Sequence, residues 1–356
     1  MNNSKWRVRR AGSACDLQGK EMKALVWYVV MAVIGVGVWL LGNSADVTAS
    51  KSRWHMPTAY PMSNYQSQTA QLFADEVLAC TNGKLEIVIH AGGSLFKGHE
   101  IKRAVRTGQA QIGERLLSAH SNENAMFAVD SIPFVASSFS DAHRLDRIAR
   151  PALEAVLAAE NLVLLYSVIW PPQGIYFRDE VHSVEEVAGQ KFRAYNATTA
   201  RVAELAGMIP IQIEAAEMSQ ALATGVVSSF MASGSSGYDS KVWEHIDYFY
   251  DVKAWLPRNS VFVNKDIYDG LSGHVRQCLH GAAEIARLRG NEKAVEMTTW
   301  YIEQLLAEGM RVVQPGEVFR LELAHIGRVL SSEWSKGTGQ AGDDILKEFY
   351  AGGGEK

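Results

Sequence analysis

Apolar positions along this chain follow two periods that alternate. Over 65–80, Leu72, Phe73, Val77 and Leu78 fall on one helical face, with Ser63-Asn64 placed to cap and Asn82-Gly83 to stop the helix. Residues 84–90 (KLEIVIH) read as a strand and 91–94 as a turn. A helix over 97–106 and a strand around 110–113 come next. The pattern over 140–160 predicts a long amphipathic helix, capped by Ser140 and Asp141 and interrupted at Pro151. Residues 162–170 (LVLLYSVIW) are continuously apolar, as in the middle of a sheet covered on both faces.

Two prolines and a glycine in Trp170-Pro171-Pro172-Gln173-Gly174 then end the strand and stiffen what reads as a crossing between lobes. A second series follows, with strands at 174–178, 191–194, 209–213 and 226–231 and helices between them. Residues 261–264 are expected to return the chain to the first lobe, before a long helical stretch over about 271–310 and a helical tail over 316–351. Alternating strands and helices imply an α/β class. Two such lobes joined by crossovers enclose a cleft. The expected division is 50–170 plus about 259–298 for one lobe and 171–258 plus about 299–356 for the other.

Charge narrows the partners. The first 49 residues carry six basic and three acidic side chains, leaving 29 basic against 36 acidic in the remainder. An acidic body has no basic footprint for nucleic acid or an anionic membrane, so an anionic ligand must be held by a few local cations. Residues 24–42 (ALVWYVVMAVIGVGVWLLG) are uncharged, follow a basic region and lead to Val47-Thr48-Ala49. They read as a signal peptide cleaved after Ala49, with Met22 as an alternative start. An uncleaved anchor is the other reading, since the run is long enough to span a bilayer. Either way the body is exported. Cys80 and Cys278 remain after cleavage, and both a disulfide and two separate thiols are open.

Catalytic signatures are absent. There is no nucleophile elbow, phosphate loop, two-histidine zinc helix or paired-cysteine motif. The ten histidines are scattered, and no metal or cofactor is expected. Arg193 stands out at the end of the strand over 191–194, where a guanidinium can grip a carboxylate through two parallel hydrogen bonds. Its structural alternative is an ion pair to Glu185, Glu186 or Glu217. Asn196, at a helix start, can assist an anion or serve as an ordinary cap. Trp170, Tyr195, Trp243 and Trp255 are candidates to line an apolar pocket, or core residues.

Several motifs, taken in order, resemble those of the extracytoplasmic solute-binding subunits of TRAP transporters, the DctP-like family. They are Gly92-Gly93-Ser94-Leu95 with Glu100 and Val105-Arg106-Thr107-Gly108; Ser131-Ile132-Pro133-Phe134; Gly189-Gln190-Lys191-Phe192-Arg193; and 217–227 (EMSQALATGVV). The resemblance covers about 53–350. It implies a two-lobe periplasmic-binding-protein fold with a hinged cleft and a long C-terminal helical region. It also implies a periplasmic location, and Arg193 as the residue that grips a ligand carboxylate. By position it further implies that Asn196, Thr58, Glu114, Ala215 and Ser233 face the cleft. Small and large TRAP membrane subunits become the expected partners.

Sialic-acid-binding relatives carry a further arginine just past the crossing, where this chain has Pro171, Pro172 and Gln173. With Trp170, Tyr195 and Trp255 nearby, the expected ligand is a small organic acid anion, a monocarboxylate (an aromatic one included) rather than a C4-dicarboxylate. Two competing classes are a secreted α/β enzyme with Glu114 or Glu217 as base, and a receptor reporting to a signalling partner. The lack of a convergent titratable set argues against the enzyme.

Overall fold

Eleven strands form three sheets among residues 51–353, the part of the chain that this computed structural model describes. The leader expected over 1–49 lies outside these residues. Strand β1 (Ser52–Pro57), which the sequence pattern does not signal, runs parallel to β2 (Leu85–His90). Helix α1 (Tyr65–Cys80) joins them. Its cap is Asn64, whose side chain accepts the Gln66 N–H, and left-handed Asn82 and Gly83 follow its end.

The helix expected over 97–106 is a 3-10 turn followed by α2 (Ile101–Arg106), and β3 (Ile112–Leu116) comes next. Helix α3 (Phe139–Ala159) is capped by Ser138 rather than Ser140 and runs through Pro151 without a break. Pro151 removes one backbone hydrogen bond. Burial of Leu145, Ala149, Leu153 and Leu157 on one face carries the helix across it.

Strand β4 (Leu162–Ile169) leads through the proline pair to β5 (Gln173–Phe177). Then come β6 (Lys191–Ala194), α4 (Ala197–Leu205), β7 (Ile209–Gln212), α5 (Met218–Ala223), β8 (Ser229–Ser233), α6 (Gly234–Asp239) and β9 (Tyr248–Tyr250). The chain continues as β10 (Arg258–Asn264), α7 (Lys265–Asp269), α8 (Gly273–Ala307), β11 (Arg311–Val313), α9 (Glu317–Thr338) and α10 (Gln340–Ala351). Gly339, with φ +61°, separates the last two helices.

One three-stranded sheet has the order β3-β10-β4, with β10 antiparallel to both neighbours. Strand β4 is therefore an edge rather than the expected middle. Its apolar run is explained by cover instead of position: α3 and α8 pack on it, and the Asn291 side chain accepts the Ile169 N–H. The six-stranded sheet has the order β11-β9-β5-β8-β6-β7, mixing parallel and antiparallel pairs. Together these layers give the two-lobe α/β architecture with a helical C-terminal region.

The chain passes between the two larger sheets three times, at residues 170–172, at 251–257 and through α8, and the first two passages bond to each other. Trp170 N–H donates to Pro257 O at 2.8 Å, Gln173 N–H to Trp255 O at 2.9 Å and Ala254 N–H to Gln173 O at 2.9 Å. A disulfide joins Cys80 to Cys278, with Cα atoms 5.6 Å apart, and ties the end of α1 to α8.

Candidate functional site

Between the three-stranded and six-stranded sheets lies a cavity of about 260 Å³. Arg115 and Trp170 line it from one side, Arg193, Tyr195 and Ala215 from the other. Parallel β6 lies between β7 and β8, so Arg193 sits near the carboxyl end of its strand, where open α/β sheets receive ligands.

Arg193 is 6 % exposed. Its Nε donates to Ile213 O at 2.9 Å, and its Cζ lies 5.1 Å from the Tyr195 ring centroid. These two contacts aim the guanidinium while leaving both terminal nitrogens without a protein partner among the described residues. None of Glu185, Glu186 or Glu217 pairs with it: Glu186 accepts from His182 N–H and Glu217 is exposed. Burial pulls the Arg193 pKa below the ordinary arginine value.

The other buried cations are all neutralised within the protein. Lys102 meets Glu123 and Glu160, Arg258 meets Asp146, and Arg115 meets Glu214. Arg193 alone, of the four buried Lys and Arg side chains among the described residues, has no carboxylate within 4 Å. An unpaired buried charge is strongly unfavourable, so this geometry asks for an anion from outside.

Sequence reasoning missed Arg115 and Glu214, both of which line the cavity. They are 99 residues apart, and only the neighbouring Glu114 drew notice. Gly98 packs over their bridge; a Cβ there would lie 2.4 Å from Arg115 Nη1 and 2.5 Å from Glu214 Oε2.

Trp170 is held by a polar chain. Its Nε1 donates to Asn259 Oδ1 at 2.8 Å, and Asn259 Nδ2 donates in turn to Glu114. Tyr60 packs on the indole with centroids 4.7 Å apart, and it too lines the cavity. Glu114 lies behind this wall, 2 % exposed; burial lifts its carboxyl to about 7, offset in part by the Asn259 bond and the Arg115 charge. Tyr195 donates its hydroxyl to Gln173 Oε1 at 3.2 Å.

The remaining candidates lie apart from the cavity wall. Asn196 caps α4, accepting the Thr199 N–H at 2.8 Å, while its Nδ2 donates to Ser118 Oγ at 3.0 Å. Both ends of its amide are thus used by the protein. Thr58 is fully buried, with Oγ1 3.2 Å from Ser67 Oγ. Ser233 caps α6 through the Ser236 N–H, and Trp255 is 1 % exposed in the second passage between the sheets. Trp243 does not line this cavity either.

The profile of bacterial extracellular solute-binding protein, family 7 (DctP), matches residues 57–333. A marine metagenome TRAP solute-binding protein specific for pyroglutamate, solved with co-purified pyroglutamate, is 49 % identical with a TM-score of 0.84, over 85 % of this chain and 99 % of that one. A Bordetella pertussis extracytoplasmic solute receptor binding pyroglutamic acid is 40 % identical with a TM-score of 0.83, over 84 % and 100 %. A monocarboxylate 2-oxoacid-binding periplasmic protein of Nostoc sp. is 22 % identical over 281 residues, 76 % of each chain. By its motifs, its two-sheet cleft and these relatives, the chain belongs to the DctP family of TRAP solute-binding proteins.

Proposed function

We propose that this protein captures a small monocarboxylate of the pyroglutamate class in the periplasm and delivers it unaltered to the TRAP membrane subunits. The observation that carries this reading is Arg193, a buried guanidinium whose terminal nitrogens meet a cavity and no protein anion. The cavity suits a ligand of a few heavy atoms, and two relatives of at least 40 % identity bind pyroglutamate. A bidentate carboxylate would satisfy the fork.

The layout supports closure of the lobes around the ligand. The lobes comprise 50–170 plus about 259–298 and 171–258 plus about 299–356, and the bonded passages between the sheets form the hinge. The ligand favours the closed state to the extent that it binds that state more tightly than the open one. The leader is removed after Ala49, which frees the receptor to diffuse between solute and transporter.

Calorimetry on Arg193→Ala tests the reading. Loss of the fork leaves a buried carboxylate unpaired, and affinity for pyroglutamate falls by about a hundredfold or more. Arg193→Lys is also impaired, because an ammonium cannot supply two parallel bonds. A folded Arg193→Ala protein with unchanged affinity would refute the role.

A further inference from the structure

The cavity holds a feature that a receptor for a bare anion would not need. Asp239, at the end of α6, lines it together with Arg193. Its Oδ2 accepts from Asn64 Nδ2 at 2.6 Å, while Oδ1 has no hydrogen-bond partner among the described residues. The second lining carboxylate, Glu214, differs: both its oxygens are taken by Arg115. Asp239 is the lining carboxylate left with an open acceptor and no cation within ion-pair distance.

An ionised carboxylate opposes a bound carboxylate of the same sign, and weakens binding unless the ligand compensates. Compensation requires a hydrogen-bond donor on the ligand, an N–H or an O–H, because an ionised aspartate only accepts. Tyr60 adds the complementary donor: it lines the same cavity, and its hydroxyl has no partner among the described residues. The free groups lining the cavity are thus one cationic fork, one carboxylate acceptor and the hydroxyls of Tyr60, Ser236 and Ser240. A cyclic amide acid offers the matching set: a carboxylate, a carbonyl oxygen and a ring N–H. A 2-oxoacid has only acceptors beside its carboxylate and leaves Asp239 facing like polarity.

From this we infer that Asp239 is the specificity residue of the site, reading a ligand N–H and selecting a lactam acid over isosteric acids that lack the donor. The inference rests on the carboxylate-capture reading above. Burial raises the Asp239 pKa, so its ionised form gains from each N–H that it accepts. The Asn64 bond fixes the carboxylate from the side of α1 and occupies only one of its two oxygens.

The test compares pyroglutamate with its ring-oxygen isostere, 5-oxotetrahydrofuran-2-carboxylate, by calorimetry on wild type, Asp239→Asn and Arg193→Ala. Wild type should prefer the lactam by a hundredfold or more, since a site built around an N–H leaves a polar group unpaired when the donor is missing. Asp239→Asn, which can both accept and donate, should bring the two acids within about tenfold. Arg193→Ala should weaken both alike. Equal wild-type affinities would overturn the role of Asp239 while leaving carboxylate capture intact, and so would a preference that survives in Asp239→Asn. Wild type that binds neither acid but does bind a 2-oxoacid would overturn both the inference and the proposed ligand class. The wild-type comparison decides even if the Asn variant fails to fold.

Discussion

Arg115 and Glu214 meet in a fork across the cleft, Nη1 to Oε2 at 3.1 Å and Nη2 to Oε1 at 3.0 Å. Arg115 comes from the three-stranded sheet, and Glu214 from the segment after β7 in the six-stranded one. The bridge does two things at once. It fastens the two sides together, and it cancels a second buried arginine so that Arg193 remains the open cation of the cavity. Asn196 to Ser118 and Asn64 to Asp239 and Ser235 add further ties between the two sides.

Glu214→Gln keeps the shape and removes the counter-charge from an arginine whose side chain is 4 % exposed. The closed state should lose stability, and affinity for the bound acid should fall about 10- to 100-fold, mainly through faster dissociation. Calorimetry combined with stopped-flow fluorescence checks this. Unchanged affinity and dissociation rate would show that the bridge plays no part in closure.

Glu114 makes stability depend on pH in a stated direction. Its folded pKa of about 7 lies above the ordinary 4.5, so between those values the folded chain holds a proton that the unfolded chain has released. Stability from this group is complete below about pH 4.5 and is lost as pH rises through about 7. The loss is about 3 kcal/mol. His120, held down to about 4 mainly by burial, acts the opposite way between about 4 and 6.5. Comparing wild type with Glu114→Gln in urea from pH 4.5 to 7.5 separates the two, because only the Glu114 contribution disappears. A variant with the wild-type slope would contradict the buried, protonated carboxyl.

The Cys80–Cys278 bond closes a long stretch of chain, with a sequence separation of 198. Replacing both cysteines with serine should lower unfolding stability by about 2–5 kcal/mol. Neither cysteine lines the cavity, so affinity for the ligand should stay near the wild-type value. Reduction of the wild-type protein should produce the same shift in denaturant midpoint. A midpoint insensitive to reductant would mean that the bond contributes nothing to the folded state.

Local pattern made much of the fold legible. The strand over 191–194 and the helix over 65–80 are found within those bounds, because periodicity, caps and glycine stops act over a few residues. The three-residue strands β9 and β11 escaped notice, as such short runs have no period to detect. Cover by helices explains the misjudged place of β4, since an edge shielded on both faces reads like a centre. At the site, Arg193 was visible as a lone cation at a strand end. Arg115 was not, because its role depends on a partner 99 residues away.

The sequence by itself determined the alternation of strand and helix, the excess of acid over base, the lack of catalytic motifs and a lone arginine at the end of the strand over 191–194. These are properties of neighbours along the chain, and short-range sterics and hydrogen bonding set them. Tertiary structure alone decided which arginine is free, which carboxylate stays open to the cavity, and that Cys80 and Cys278 pair. Each of those outcomes depends on burial and on partners brought together from distant segments, where the low-polarity interior makes an unpaired charge costly and a paired one tolerable.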